Sequence, residues 1–126
     1  MKRIFVFAVV MTLVAGVAFA KSYKSGKQAG IYHVMLKMES DPVPVAENKA
    51  TIEIQDASGP VAGADVELYY FMPSMPAMNY TAKAEPEDNA YGAVIKPTMP
   101  GEWKVDVKVK GSDGKVQKAV FEFNAK

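Results

Sequence analysis

Met72, Met75 and Met78 recur at every third position of the stretch Met72-Pro73-Ser74-Met75-Pro76-Ala77-Met78, and a proline follows each of the first two. Thioether sulfur is a soft, polarizable donor that suits Cu(I) better than harder divalent ions. Methionine is also the usual filler of irregular apolar gaps, so the stretch reads either as a ligand set or as packing at the end of a domain. Its backbone form bears on the choice. In a polyproline helix the three side chains would share a face with sulfurs about 9 Å apart, at ~3.1 Å per residue. Two ligands on one ion, each at the ~2.3 Å of a zinc–sulfur bond taken as a stand-in, stand no more than ~4.6 Å apart. Two consecutive turns fit better. In Met-Pro-Ser-Met and in Met-Pro-Ala-Met the proline takes the second position of a four-residue turn, which brings the first and last Cα within roughly 7 Å. Flexible thioether arms can then converge.

Two further residues are candidates to complete such a set. Met99 lies in the turn Thr98-Met99-Pro100-Gly101, where it can carry a fourth sulfur to the same end or pack beneath Trp103. His33, the single histidine, lies on an outward strand face that it shares with Met35, and it reads as a ligand or as a surface histidine. Enzyme machinery is largely absent: the chain has no cysteine, no Gly-x-Ser-x-Gly elbow and no phosphate-cradling glycine loop. The acidic group Glu85, Glu87 and Asp88 sits beside a proline in a turn and reads as a solvated face. The expectation is a protein that is not an enzyme.

Strands must position these residues. Tyr32, Val34, Leu36 and Met38 alternate with His33, Met35 and Lys37, the period of a half-buried strand. Ala50 to Gln55, Ala64 to Phe71 and Tyr91 to Ile95 repeat the pattern, Tyr80 to Ala84 supplies a short strand, and Trp103, Val105, Val107 and Val109 alternate with lysines and Asp106. Gly111-Ser112-Asp113-Gly114 closes a hairpin onto a last strand that turns Ala119, Phe121 and Phe123 inward. Asp41-Pro42 and Val43-Pro44 exclude central pairing for Glu39 to Asn48, which reads as a connection along a sheet edge. No helical period follows Ala20. The expected fold is all-β, an immunoglobulin-like antiparallel sandwich of about seven strands.

Lys2 and Arg3, the apolar run Ile4 to Gly16 and the small-x-small triplet Ala18-Phe19-Ala20 read as a signal peptide over residues 1–20, cleaved after Ala20. Residues 21–29 (KSYKSGKQA) read as a flexible tail and 30–126 as the domain. The mature chain is then exported, periplasmic or extracytoplasmic, and not membrane-spanning. The whole chain carries 15 basic and 14 acidic side chains, so it lacks the basic stripe that nucleic-acid binding needs. Without cysteine no disulfide braces the fold, and any metal must be held by Met, His, Asp or Glu. Export also makes exposed methionine costly through oxidation, and three in one short loop is many for a simple cap.

From Asn48 to Val109 the chain resembles the YtkA-like domain, found also in FixH-type and copper-efflux-associated exported proteins. The resemblance rests on Glu47-Asn48, Gly59-Pro60-Val61, Gly63-Ala64-Asp65-Val66, Met72-Pro73-Ser74-Met75, Tyr91-Gly92 and Met99-Pro100-Gly101-Glu102-Trp103. It implies an immunoglobulin-like sandwich with a role in copper handling, such as delivery or oxidase assembly. Many members carry histidines just after Met-Pro-x-Met. Pro76-Ala77-Met78-Asn79 stands there in this chain, which favours a thioether Cu(I) site over a Cu(II) site. The function expected is an exported Cu(I) chaperone or assembly or efflux accessory, with Met72, Met75 and Met78 as ligands and Met99 or His33 completing the set. The other reading is a metal-free module in which Tyr69, Phe71 and Tyr80 help to dock a membrane oxidase or efflux component.

Overall fold

The computed structural model describes residues 21–126; the signal peptide expected over 1–20 lies outside the described residues. Ten strands follow in order: β1 Tyr23–Ala29, β2 Tyr32–Met38, β3 Asn48–Asp56, β4 Gly59–Pro60, β5 Asp65–Met72, β6 Met75–Lys83, β7 Glu85–Glu87, β8 Ala90–Ile95, β9 Gly101–Lys110 and β10 Val116–Ala125. One sheet has the order β1-β2-β3-β8-β7, with β4 paired to β3, and the other the order β10-β9-β5-β6. Every strand pairing is antiparallel. Among the described residues there is no helix, and so none long and apolar enough to cross a membrane.

The alternation seen in the sequence sets the core. Val34, Leu36, Ile52 and Ile54 face inward from the first sheet, and Leu68, Val105, Val107 and Phe121 from the second; all are buried. Seven of the strands coincide with the seven expected, and β1, β4 and β7 are additional. The connection expected over Glu39 to Asn48 does run along an edge. Val43 makes an isolated parallel bridge to Ala125, donating to the Asn124 carbonyl at 2.8 Å and accepting from the Lys126 N–H at 2.9 Å.

The flexible tail expected over 21–29 is corrected by the structure: Tyr23–Ala29 is a full edge strand paired with β2 from Tyr23↔Met38 to Ala29↔Tyr32. Its sequence is polar because only Tyr23 and Ala29, six residues apart and therefore on one face, are buried. Backbone pairing carries the rest. The Tyr23 hydroxyl donates to the Glu122 carbonyl at 2.6 Å, and its ring meets Phe123 edge-on at 6.4 Å. Tyr23 thereby pins one flank of the sandwich across the gap between the sheets.

Burial holds the Tyr23 hydroxyl above its usual pKa of 10.0; the Ser25 contact lowers it, and the charges of Asp41 and Glu122 add to the rise. A folded-state value raised above the unfolded one means that the folded state keeps the proton longer. The stabilisation is whole below the unfolded value and is lost as pH rises through the folded one. Stability should therefore fall above pH 10 in the native chain, and Tyr23→Phe should remove that component. At neutral pH the same substitution should cost about 1 kcal/mol through the lost hydrogen bond. Urea denaturation across pH reads both effects.

Candidate metal centre

The Met72–Met78 stretch lies at one end of the second sheet, where β5 turns into β6. Met72-Pro73-Ser74-Met75 closes a hairpin with a two-residue loop, and Met72 pairs with Met75. This is the first of the two turns expected. Tight hairpins favour turns with positive φ, whose twist matches that of the strands. Proline fixes φ of Pro73 near −65°, and Ser74 is not among the positive-φ residues. The ladder takes up the mismatch at once: between Phe71 and Met72 the pairing jumps from Asn79 to Met75. The second expected turn, Met75-Pro76-Ala77-Met78, is therefore absent. Those residues form an extended bulge within β6, braced by the Asn79 side-chain amide, which donates to the carbonyls of Pro76 at 3.0 Å and Ala77 at 3.3 Å.

The hairpin and its bulge leave the sulfurs in unlike surroundings. Met72, on the inward face of β5, is 4% exposed. Its terminal methyl lies against Gly101, only 2.8 Å from where a Cβ on that residue would stand. Met75, directly opposite Met72 on the ladder, is 44% exposed. Directly opposed residues share a face, with Cβ atoms about 5 Å apart. Met78 and Met99 are half-buried against the core.

Two contacts draw the half-buried pair together. The Tyr80 hydroxyl donates to Met78 Sδ at 3.7 Å and shares a hydrogen bond with Thr98 Oγ1 at 3.0 Å, which ties β6 to the loop that carries Met99. That loop is fixed twice more. The Lys96 N–H donates to the Tyr70 hydroxyl at 3.0 Å, and Trp103 Nε1–H donates to the Met99 carbonyl at 3.0 Å. Beneath it the rings of Tyr70, Tyr80 and Trp103 lie 5.5 to 6.2 Å apart, centroid to centroid. Met72, Met75, Met78 and Met99 thus gather at one end of the sandwich above an aromatic floor. Tyr80 shares its face with Met78 by period two and was legible as a neighbour; nothing in the sequence pointed to Thr98.

His33 does not join them. It is exposed on the outer face of β2, opposite Gln28 and Gln55. Its neighbour Tyr32 places its hydroxyl against Gly111, at the far end of β9 from the Gly101 that Met72 touches. Those ends are roughly 30 Å apart for a strand of this length at ~3.4 Å per residue. The sequence shows which face a strand residue occupies, whereas its height along the sandwich depends on register, and register puts His33 at the wrong end.

Among the described residues, no group of three or more His, Cys, Asp or Glu side chains is placed to hold a metal ion. The donors gathered at the Met72 end are neutral thioethers with a phenol and a threonine hydroxyl beside them. That set fits a soft monovalent ion and offers a hard divalent one little.

A sequence model of a domain family described as YtkA-like matches residues 26–108, a span that includes all four methionines. No curated protein matches the chain. Among solved structures the fold is similar to that of FetP from uropathogenic E. coli strain F11, crystallised "as isolated" after recombinant expression in the periplasm of E. coli BL21(DE3). The TM-score is 0.52 and the identity 11%, over 82% of this chain and 94% of that one. A likeness at that identity concerns the fold alone.

Gly101 makes a sharp test of the packing at this end. Its φ of +135° is costly for any side chain, and a Cβ would also push the Met72 methyl. Gly101→Ala should destabilise the protein by about 1–3 kcal/mol through backbone strain, read as a lower denaturation midpoint. A second substitution, Met72→Ala, would relieve the contact and leave the strain.

Proposed function

The chain belongs to the YtkA-like family, and from that premise we propose that it is an exported copper-binding domain that carries Cu(I) on Met72, Met75, Met78 and Met99. It acts as a chaperone or as an accessory to copper efflux or oxidase assembly. One observation supports this reading: four methionines from two separate segments lie at one end of the sandwich, where, among the described residues, no cluster of harder donors is placed to hold a metal ion. The basic, apolar and small-x-small order of residues 1–20 supports export.

The differing exposure of the sulfurs suits binding and release more than permanent storage. Met75 is open to solvent and would meet an incoming ion first. Met78 and Met99 are half-buried and Met72 is buried, so an ion held by more than Met75 would shed water in binding. Thioethers are neutral and bind without releasing a proton. A partner with its own soft donors can displace them one at a time, beginning at Met75.

A second reading rests on Tyr69 and Phe71. They occupy the outer face of β5 with ring centroids 5.4 Å apart and Lys108 5.8 Å from the Tyr69 centroid. Half-buried aromatic residues on an outer face are typical of binding patches, and this one runs up to the hairpin. In this reading the domain docks a membrane oxidase or efflux component without carrying metal.

Cu(I) titration against a competing chelator separates the two. The native chain should bind stoichiometrically and melt later, gaining about 2.7 kcal/mol at a hundredfold excess over Kd. Met72→Leu/Met75→Leu/Met78→Leu should lose both effects while keeping its fold. Unchanged affinity in that variant would remove the loop from the site. Absent binding in the native chain, with partner capture that depends on Tyr69 and Phe71, would favour the docking reading.

A further inference from the structure

His33 and Met35 form a second constellation, on the opposite face and at the opposite end from the methionine hairpin. Both project from the outer face of β2, two residues apart, and both fold across onto Gly26 of the neighbouring strand. A Cβ on Gly26 would stand 3.1 Å from His33 Nε2 and 3.6 Å from the Met35 methyl. The imidazole and the end of the Met35 thioether therefore both lie over Gly26, in space that a side chain on residue 26 would claim.

Gly26 is not required by its backbone, since it is absent from the glycines of positive φ. It sits inside a strand, where glycine weakens the pairing and often marks a close approach of a ligand or another chain. Around this space the ladder places Gln28 and Gln55 opposite His33, and Gly26 and Glu53 opposite Met35. Glu53 Oε2 accepts from Lys37 at 2.7 Å. Over Gly26 itself the structure places one imidazole nitrogen and one thioether.

The geometry points to a second metal-binding site at His33 and Met35 over Gly26, selective for a soft monovalent ion of the Cu(I) class. One nitrogen and one thioether suit such an ion, which accepts low coordination numbers. Zinc is almost always four-coordinate in structural sites and finds too few donors here. The site owes nothing to the hairpin thioethers, so it stands or falls apart from the function proposed for them. Two sites at opposite ends would let one molecule carry two ions.

Silver(I), a redox-inert ion of the same class, is the probe. With a single histidine in the chain, the imidazole nitrogen signals in NMR belong to His33 alone, and the Met35 methyl can be read beside them. On titration of the mature chain with silver(I) the two should shift together on one saturation curve. They should do so equally in Met72→Leu/Met75→Leu/Met78→Leu, and if that variant fails to fold, the native chain still reports His33 directly. Met35→Leu should weaken the His33 response by more than the roughly tenfold that loss of a supporting contact costs a metal site, and Gly26→Val, which fills that space, should abolish the joint response. A Met35 methyl that stays still would overturn the proposal and leave the pair as packing over a glycine. A His33 response indifferent to Met35→Leu or to Gly26→Val would overturn it as well, in favour of a lone surface imidazole.

Discussion

Trp103 holds the methionine end of this sandwich together. It is fully buried between the two sheets, stacked at 6.4 Å on Phe123 and packed against Tyr70 and Tyr80. Its one polar atom is satisfied by the Met99 carbonyl. An indole N–H left unpaired in such a place would cost about 1–3 kcal/mol, so the 96–100 loop is held down by the same residue that fills the core. Remove that bond and the loop carrying Met99 loses its height above the hairpin. The positions of Met72 and Met78 depend on the same aromatic floor.

Charge contributes little to this arrangement. The five ion pairs of the described residues, such as Lys49–Glu87 at 2.7 Å, join side chains of which at least one is substantially exposed, and surface pairs of this kind are worth only ~0–1 kcal/mol. Among the described residues no polar or charged side chain is buried. The interior beneath the methionine end is therefore lined by apolar and aromatic side chains, and the proposed preference for a soft ion would rest on sulfur and not on charge.

Much of the fold was legible because alternation is strict where one face is buried. The series Trp103, Val105, Val107 and Val109 against Lys104, Asp106 and Lys108 admits one reading. β1 escaped because an edge strand can be almost wholly polar when two anchors, Tyr23 and Ala29, hold it and backbone pairing supplies the rest. The first Met-Pro turn was legible from proline chemistry. The second was not, since whether Pro76 turns or extends depends on how the neighbouring strand absorbs a mismatched twist. His33 was misplaced for a related reason: parity along a strand gives the face, and only pairing gives the height. The Tyr80–Thr98 contact joins β6 to the loop between β8 and β9, and no local pattern encodes it.

The bulge in β6 has a bearing on how copies of this chain meet one another. β6 is the outermost strand of its sheet, and a free edge invites another chain to add a strand. At Pro76 there is no N–H to offer, and the carbonyls of Pro76 and Ala77 already accept from Asn79. The tip of the edge is thus chemically blunted beside Met75, where an exposed apolar side chain would otherwise make it stickiest. The sulfur-bearing surface stays uncovered while the backbone beside it refuses to template an aggregate.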